Sequence, residues 1–368
     1  MYLSEYFLYF SPLIVYVAWR LWTLIGSKVL KPVSTVLYAL LVASYPFAEL
    51  ISRGFTGRAK RTIAALAYDG LPALLYLALT VVAVDLFVGL GRLLRIVSRE
   101  RVRSSRFRRA RLAVTLLIPT AVMIGGIVNF QTIRIKEYAV EVPRRSSALD
   151  GLTIAFASDF HLGLITAPDF MDRFTAKVNG LHPDIILIGG DVFEGHGGED
   201  RMAEFEAGFK RLRARFGVYG VPGNHEGFGG NRDAFFADAG VVLLRDKVVK
   251  IDEAFTLAGR NDGRRGRKPI DELLQAAPDG LPIILLDHRP SDIEAVSRTR
   301  VDIQLSGHTH NSQFFPVNLI TKRQYLLNWG HLKKGRTDFF VTSGVQGWGP
   351  PVRTAGRSEI LLIRIKLN

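Results

Sequence analysis

The chain opens with four apolar runs of roughly the length a helix needs to cross a bilayer, and this restricts its fold more than any other feature. A hydrocarbon core demands about 20 consecutive apolar residues in a helix, because no water is present there to satisfy backbone N–H and C=O groups. Runs at 6–26, 33–51, 71–91 and 112–130 meet that demand, the second least well because it carries Pro46 and Glu49. Arg20 lies near the end of the first run, where its stem allows the charge to snorkel toward headgroups. Asp85, inside the third, reads as a carboxylate facing the bundle or lying near the interface. The opening MYLSEYF has no basic n-region and apolar runs recur after it, so a cleaved signal peptide is not expected. An all-α transmembrane region of about four helices is therefore predicted over 1–130.

The formal net charge of +14 would suit nucleic acid, but its distribution does not. Residues 1–150 hold 20 Lys/Arg against 8 Asp/Glu, whereas 151–368 hold 28 against 26. Nine arginines (Arg92, Arg95, Arg99, Arg101, Arg103, Arg106, Arg108, Arg109, Arg111) crowd the loop before the fourth run. Such loops stay cytoplasmic and touch anionic lipid, which predicts a multi-pass membrane protein with an extracytoplasmic C-terminal half. Arg53, Arg58, Lys60 and Arg61, between the second and third runs, count against that orientation. Cysteine is absent, which excludes disulfides, thiolate ligands and a cysteine nucleophile.

Near residue 131 the texture changes to that of a soluble α/β domain. TIRIKEYAVEV alternates like a strand, while GLTIAFASDFHLG, PDIILIGGDVFEG, LPIILLDHRPSD and VDIQLSGHTH are apolar strands running into polar tips. VPGNHE adds a turn that delivers Asn224 and His225. Ligand-handling residues in α/β sheets lie just beyond the carboxyl ends of strands. Asp159, His161, Asp191, Asn224, His225, His288, His308 and His310 all occupy such positions. So many polar groups converging without a ligand would be costly to desolvate. In GHTH, an extended backbone would put His308 and His310 on one face, with Gly307 permitting the approach. His182, His196 and His331 read as surface or loop residues. Neither a G-x-x-x-x-G-K-[ST] loop nor a G-x-S-x-G elbow is present, so an ATPase or serine hydrolase is not supported.

In order, SDFHLG, GGDVFEG, GNHE, LLDHRP and SGHTH resemble the five motifs of the calcineurin-like metallophosphoesterase superfamily, over roughly residues 135–368. LAGRNDGR and SGVQGWGPPVRTAGRSEILLI are further similar to its small bacterial membrane-associated branch. The resemblance implies an α/β four-layer sandwich over 131–368, two mixed sheets flanked by helices, with a two-metal centre at one edge. It gives Asp159, His161 and His310 to the first metal, Asp191 to a bridge, and Asn224, His288 and His308 to the second metal. His225 would be the acid that assists the leaving group. Two departures stand out: Glu194 replaces a common aspartate, and Asn311-Ser312 replace a frequent Gly-Gly. Neither falls on an expected ligand, so both bear on substrate fit.

The chemistry is consistent with that division. Two carboxylates only partly offset two divalent cations, and the residual positive charge suits a phosphate oxyanion and lowers the pKa of a bridging water toward about 7. Mixed imidazole and carboxylate ligands accept Mn, Fe or Zn. Arg289, beside His288, and Arg353, in the C-terminal segment, are candidates for phosphate contact; Arg264, Arg265, Arg267 and Lys268 read as a solvated charge run. The predicted activity is hydrolysis of a phosphate ester or pyrophosphate through a metal-bridging hydroxide, on a lipid-linked or envelope substrate. The alternatives are a membrane-tethered metal-binding module without turnover, and a nucleotide phosphodiesterase or nuclease.

Overall fold

Strand β3 (Ile185–Ile188) is apolar at every position, and alternation along it explains the layering of the C-terminal half. Successive strand side chains point to opposite faces. Ile186 and Ile188 accordingly join one core while Ile185 and Leu187 join another. Strand β8 (Ile283–Leu286) does the same, sending Ile284 and Leu286 to the shared central core and Ile283 and Leu285 to a third. Burying each such side chain contributes roughly 1.5–3 kcal/mol.

The computed structural model describes residues 3–54, 58–194, 201–227, 233–262 and 266–368. It divides into two compact units, Met1–Val128 and Asn129–Asn368. In the second unit one six-stranded sheet runs β1 (Arg134–Val142), β12 (Glu359–Leu367), β2 (Gly151–Ala157), β3, β4 (Val218–Gly220), β5 (Val242–Leu243). The other runs β10 (Gly330–Lys334), β11 (Thr337–Val341), β9 (Ile303–Ser306), β8, β7 (Phe255–Gly259), β6 (Lys247–Ile251). Both are mixed: β2 to β5 are parallel neighbours while β12 is antiparallel to β2, and β7, β8, β9 and β11 are parallel between antiparallel β6 and β10. Phe156, Leu187, Leu286, Leu305 and Phe340 meet in the core they share. Helices cover the outer faces. Phe174, Phe205, Phe209 and Phe236 pack on the first sheet, and Leu273, Leu274, Ile293 and Val296 on the second. The expected sandwich of two mixed sheets flanked by helices is what the chain forms.

The first unit is helical: α1 (Leu3–Leu24), α2 (Leu30–Gly54), α3 (Arg58–Tyr68), α4 (Gly70–Leu93), α5 (Arg99–Arg103) and α6 (Ser105–Gln131), the last running into the second unit. Among the described residues three stretches are long and apolar enough to cross a membrane, Leu30–Ala48, Lys60–Leu93 and Ser105–Gln131. Leu74, Leu77, Ala78 and Val81 make one stripe of α4 that packs with Val17, Leu21 and Tyr38. Arg20 departs from expectation. Instead of reaching for headgroups it pairs with Asp85, which Arg111 also contacts at 2.6 Å and to which the Tyr16 hydroxyl donates at 2.6 Å. A carboxylate among apolar helices is stabilised by the nearest cations, and that attraction outweighs the pull of the interface.

Several sequence readings fall elsewhere. The side chains of Arg53 and Arg58, and His196, Arg264 and Arg265 entirely, lie outside the described residues. His331 is at the surface as expected but on a strand, β10, where it stacks on Phe340 and lies 2.8 Å from Asp338. Arg267 is not solvated: with Arg260 it grips Asp287 and Asp292 at 2.6–3.1 Å.

Candidate metal centre

Five strands, three from one sheet and two from the other, end at the centre. Asp159 and His161 follow β2, Asp191 follows β3, Asn224 and His225 follow β4, His288 follows β8, and His308 and His310 follow β9. Five of these residues turn sharply at the strand ends, with left-handed backbone at Asp159 (φ 58°), His161 (φ 44°), Asp191 (φ 50°), His308 (φ 71°) and His310 (φ 50°). Non-glycine residues pay a conformational cost there, and such strain concentrates where function holds it in place. Two glycines permit the crowding: a Cβ on Gly223 would strike the Asp191 carboxylate, and one on Gly307 would strike that of Asp159.

The ligand atoms gather in groups. Asp159, His161 and His310 form one and Asp191, His288 and His308 another, each with its atoms within 4.8 Å of one another. In the first, His161 Nε2 lies 3.1 Å from His310 Nε2, which lies 3.4 Å from Asp159 Oδ1. In the second, His288 Nε2 lies 3.1 Å from Asp191 Oδ2 and 3.3 Å from Asn224 Oδ1. Asp191 Oδ2 also stands 3.9 Å from His161 Nε2, so one carboxylate touches both groups. His225 donates its backbone N–H to Asp191 Oδ1 at 2.8 Å and sets its ring edge-on to His161. The GHTH segment reaches the cluster differently from an extended strand. A tight turn, with Thr309 at φ −77°, sends His308 to one group and His310 to the other.

Outer partners orient these rings. The Nδ1 of His288 bonds the Gly189 carbonyl at 2.7 Å, leaving Nε2 for the centre. Glu194 stands 2.8 Å from His161 Nδ1, the carboxylate–imidazole arrangement that orients metal-ligating histidines. Glu194, His161 and His225 also form a third group of candidate ligands. Glu226, which the sequence reading left unassigned although it ends GNHE, is wholly enclosed. Its carboxylate accepts backbone N–H groups from Asp191 (2.9 Å), Val192 (2.6 Å) and Gly223 (2.5 Å), pinning two ligand loops together. Its one sequence signal is its place as the last residue of GNHE.

Protonation shows what this donor set demands. Burial pushes Asp159 up. Burial also opposes charge on Asp191, yet His288 and His161 hold its carboxyl well below the usual range. Burial disfavours protonated His288 and His161, but Asp191 and Asp159, with Glu194 beside His161, overcome it and push them to about 10 and about 9. His308 goes down to about 3 through burial and the cations of His288 and Arg289, and burial also lowers His310 and His225. The carboxylates thus require compensating positive charge, which two imidazolium protons supply while other imidazoles keep free lone pairs. Divalent cations would displace those protons, so the residues fit a metal centre.

The two candidate phosphate contacts differ. Arg289 is partly exposed beside His308 and pairs with Asp262 at 2.6 Å. Arg353 is wholly buried, and its guanidinium donates to the carbonyls of His310 and Gln346. In this structure its charge meets main chain rather than solvent, which gives it a role in fixing the His310 turn.

A family model described as calcineurin-like phosphoesterase matches residues 152–312. The chain is 30% identical over 305 residues to a transmembrane protein with metallophosphoesterase domain from Danio rerio, covering 75% of this chain and 68% of that protein. It is 31% identical over 223 residues to an uncharacterized metallophosphoesterase of Helicobacter pylori, covering 58% and 60%. To a transmembrane protein with metallophosphoesterase domain from Bos taurus it is 31% identical over 274 residues, covering 67% and 61%. The matched stretches thus span from 60% to 68% of the length of these relatives.

Proposed function

This chain belongs to the calcineurin-like metallophosphoesterase family, and on that premise we propose that its C-terminal unit hydrolyses a phosphoester bond with two divalent ions. Asp159, His161 and His310 would hold one ion, Asn224, His288 and His308 the other, and Asp191 would serve both. The observation that carries this reading is the Asp191 carboxylate, within 3.1 Å of a histidine of one group and 3.9 Å of a histidine of the other. When bound, such ions polarise a phosphoryl oxygen and make water acidic enough to attack at neutral pH.

The protein's own residues do the rest. Asp191 and Glu226 fix the loop that carries His225, and His225 gives a proton to the departing oxygen. A bound phosphate anion raises the His225 pKa toward the range that work requires. Arg289 turns from Asp262 to the phosphate. The N-terminal helices keep the unit at a membrane, which favours a lipid-linked phosphate or pyrophosphate as substrate. The nine arginines from Arg92 to Arg111, spread over the end of α4, α5 and the first turns of α6, favour an extracytoplasmic catalytic unit.

Purified full-length protein should hydrolyse a chromogenic phosphodiester or monoester with Mn²⁺ and lose that activity on chelation. Two bound ions without turnover on any such ester would instead favour a metal-binding module. His225→Ala should retain metal and slow turnover about 10²–10⁴-fold; loss of metal in that variant would make His225 a ligand.

A further inference from the structure

Among the described residues of the C-terminal unit, every exposed large apolar side chain except Val242 lies on two segments beside the metal centre. Phe315 (54% exposed), Val317, Leu319 (53%), Ile320 (64%) and Leu326 (57%) follow directly on the His310 turn, and Trp348 (45%) lies in the C-terminal segment. Single exposed apolar residues are ordinary, but their concentration in one place marks an interaction surface.

The segments are fastened to each other and to the centre. The Gln313 amide donates to the carbonyls of Pro350 (2.7 Å) and Val352 (3.0 Å). The Thr309 hydroxyl donates to the Asn328 carbonyl at 2.6 Å, the Asn328 amide donates to Asn311 Oδ1 at 2.9 Å, and Ser312 bonds Thr321. Asn311 and Ser312, the pair that stands where glycines are frequent, therefore provide two of the ties. The apolar crown is held in place, not loosely tethered.

Charge and connectivity identify what covers it. From Ile303 to Thr337 the chain has no Asp or Glu, and exposed Lys322 and Arg323 lie among the apolar residues. Apolar side chains interleaved with cations and free of carboxylates match an anionic bilayer surface, whereas a second copy of the same surface would bring like charges together. Only Thr132 and Ile133 separate the membrane-length helix α6 from β1, a tether of about 7 Å at full extension. We propose that Phe315, Leu319, Ile320, Leu326 and Trp348 insert into the interfacial layer of the membrane that carries the chain, with Lys322 and Arg323 among anionic headgroups. The metal centre then opens at the lipid surface. This docking does not depend on which bond the centre cleaves.

The cysteine-free chain makes the test direct. Full-length protein bearing Ile320→Cys, Leu326→Cys or Val242→Cys, each with one nitroxide, is placed in nanodiscs of phosphatidylcholine and phosphatidylglycerol. Labels at 320 and 326 should lose access to a water-soluble nickel relaxant and gain access to oxygen, while the label at 242 stays open to nickel. Nickel access at 320 and 326 equal to that at 242 would overturn the proposal. So would protection from both relaxants accompanied by spin–spin broadening that grows with protein density, the signature of a second copy.

Discussion

Both units place carboxylates in apolar surroundings, but they neutralise them by different means. In the helical unit Asp85 is held by Arg20 and Arg111, whose guanidinium charge is permanent. In the catalytic unit Asp159 and Asp191 are held by histidines, whose charge is a proton that can leave. The first arrangement is closed and stabilises helix packing. The second can exchange its protons for metal, and that exchange is what makes it a site. A buried acid therefore says little about function until the cations around it are known.

Asp191→Asn should break the comparison most severely: metal occupancy falls at both groups and turnover drops on the order of a hundredfold or more, read by metal analysis and ester hydrolysis. Asp85→Asn should leave metal and turnover intact while lowering the stability of the helical unit by about 2–3 kcal/mol, less than for a fully buried pair because the site is partly open. Helix unfolding in mild detergent measures it, and a change in metal content would contradict the separation drawn between the units. Glu194→Gln keeps a polar side chain of the same size beside His161 but removes its charge, so metal affinity should weaken about tenfold with the fold unchanged, measured by competition with a chelating dye.

A further effect concerns pH. His161 and His288, raised to about 9 and about 10 from 6.5, stabilise the metal-free fold fully below 6.5, and that contribution is lost as pH rises through their folded values. The chelated protein should therefore melt at lower temperature as pH climbs from 6.5 toward 10, by roughly 2–4 °C per kcal/mol lost. The metal-loaded protein, whose ligands have already given up their protons, should show a flatter profile.

The parts of this molecule legible in sequence are those written in short-range patterns. Apolar strands with polar tips announced β2, β3, β8 and β9 and the residues after them, and the membrane-length runs were visible as composition. What depends on distant partners was not. Arg20 and Asp85 are 65 positions apart, so their pairing could not outcompete the snorkelling expectation on sequence alone. Glu226 looked like an ordinary charged neighbour until the loops of Asp191 and Gly223 closed over it. Arg353 looked available for phosphate because nothing nearby in sequence shows that the His310 carbonyl would claim it. The extended reading of GHTH failed for a local reason: alternation applies to strands, and β9 ends at Ser306, before the first histidine.

The alternation of β3 between two cores has a consequence for how such an enzyme can change. A one-residue slip in that strand would exchange Ile185 and Leu187 with Ile186 and Ile188 and rotate Asp191 to the wrong side of the sheet. Hydrophobic packing thus serves as a ruler for the centre, measuring where each ligand emerges. The exposed apolar tips of the crown lie beyond the rulers, and they can change without recalibrating the chemistry.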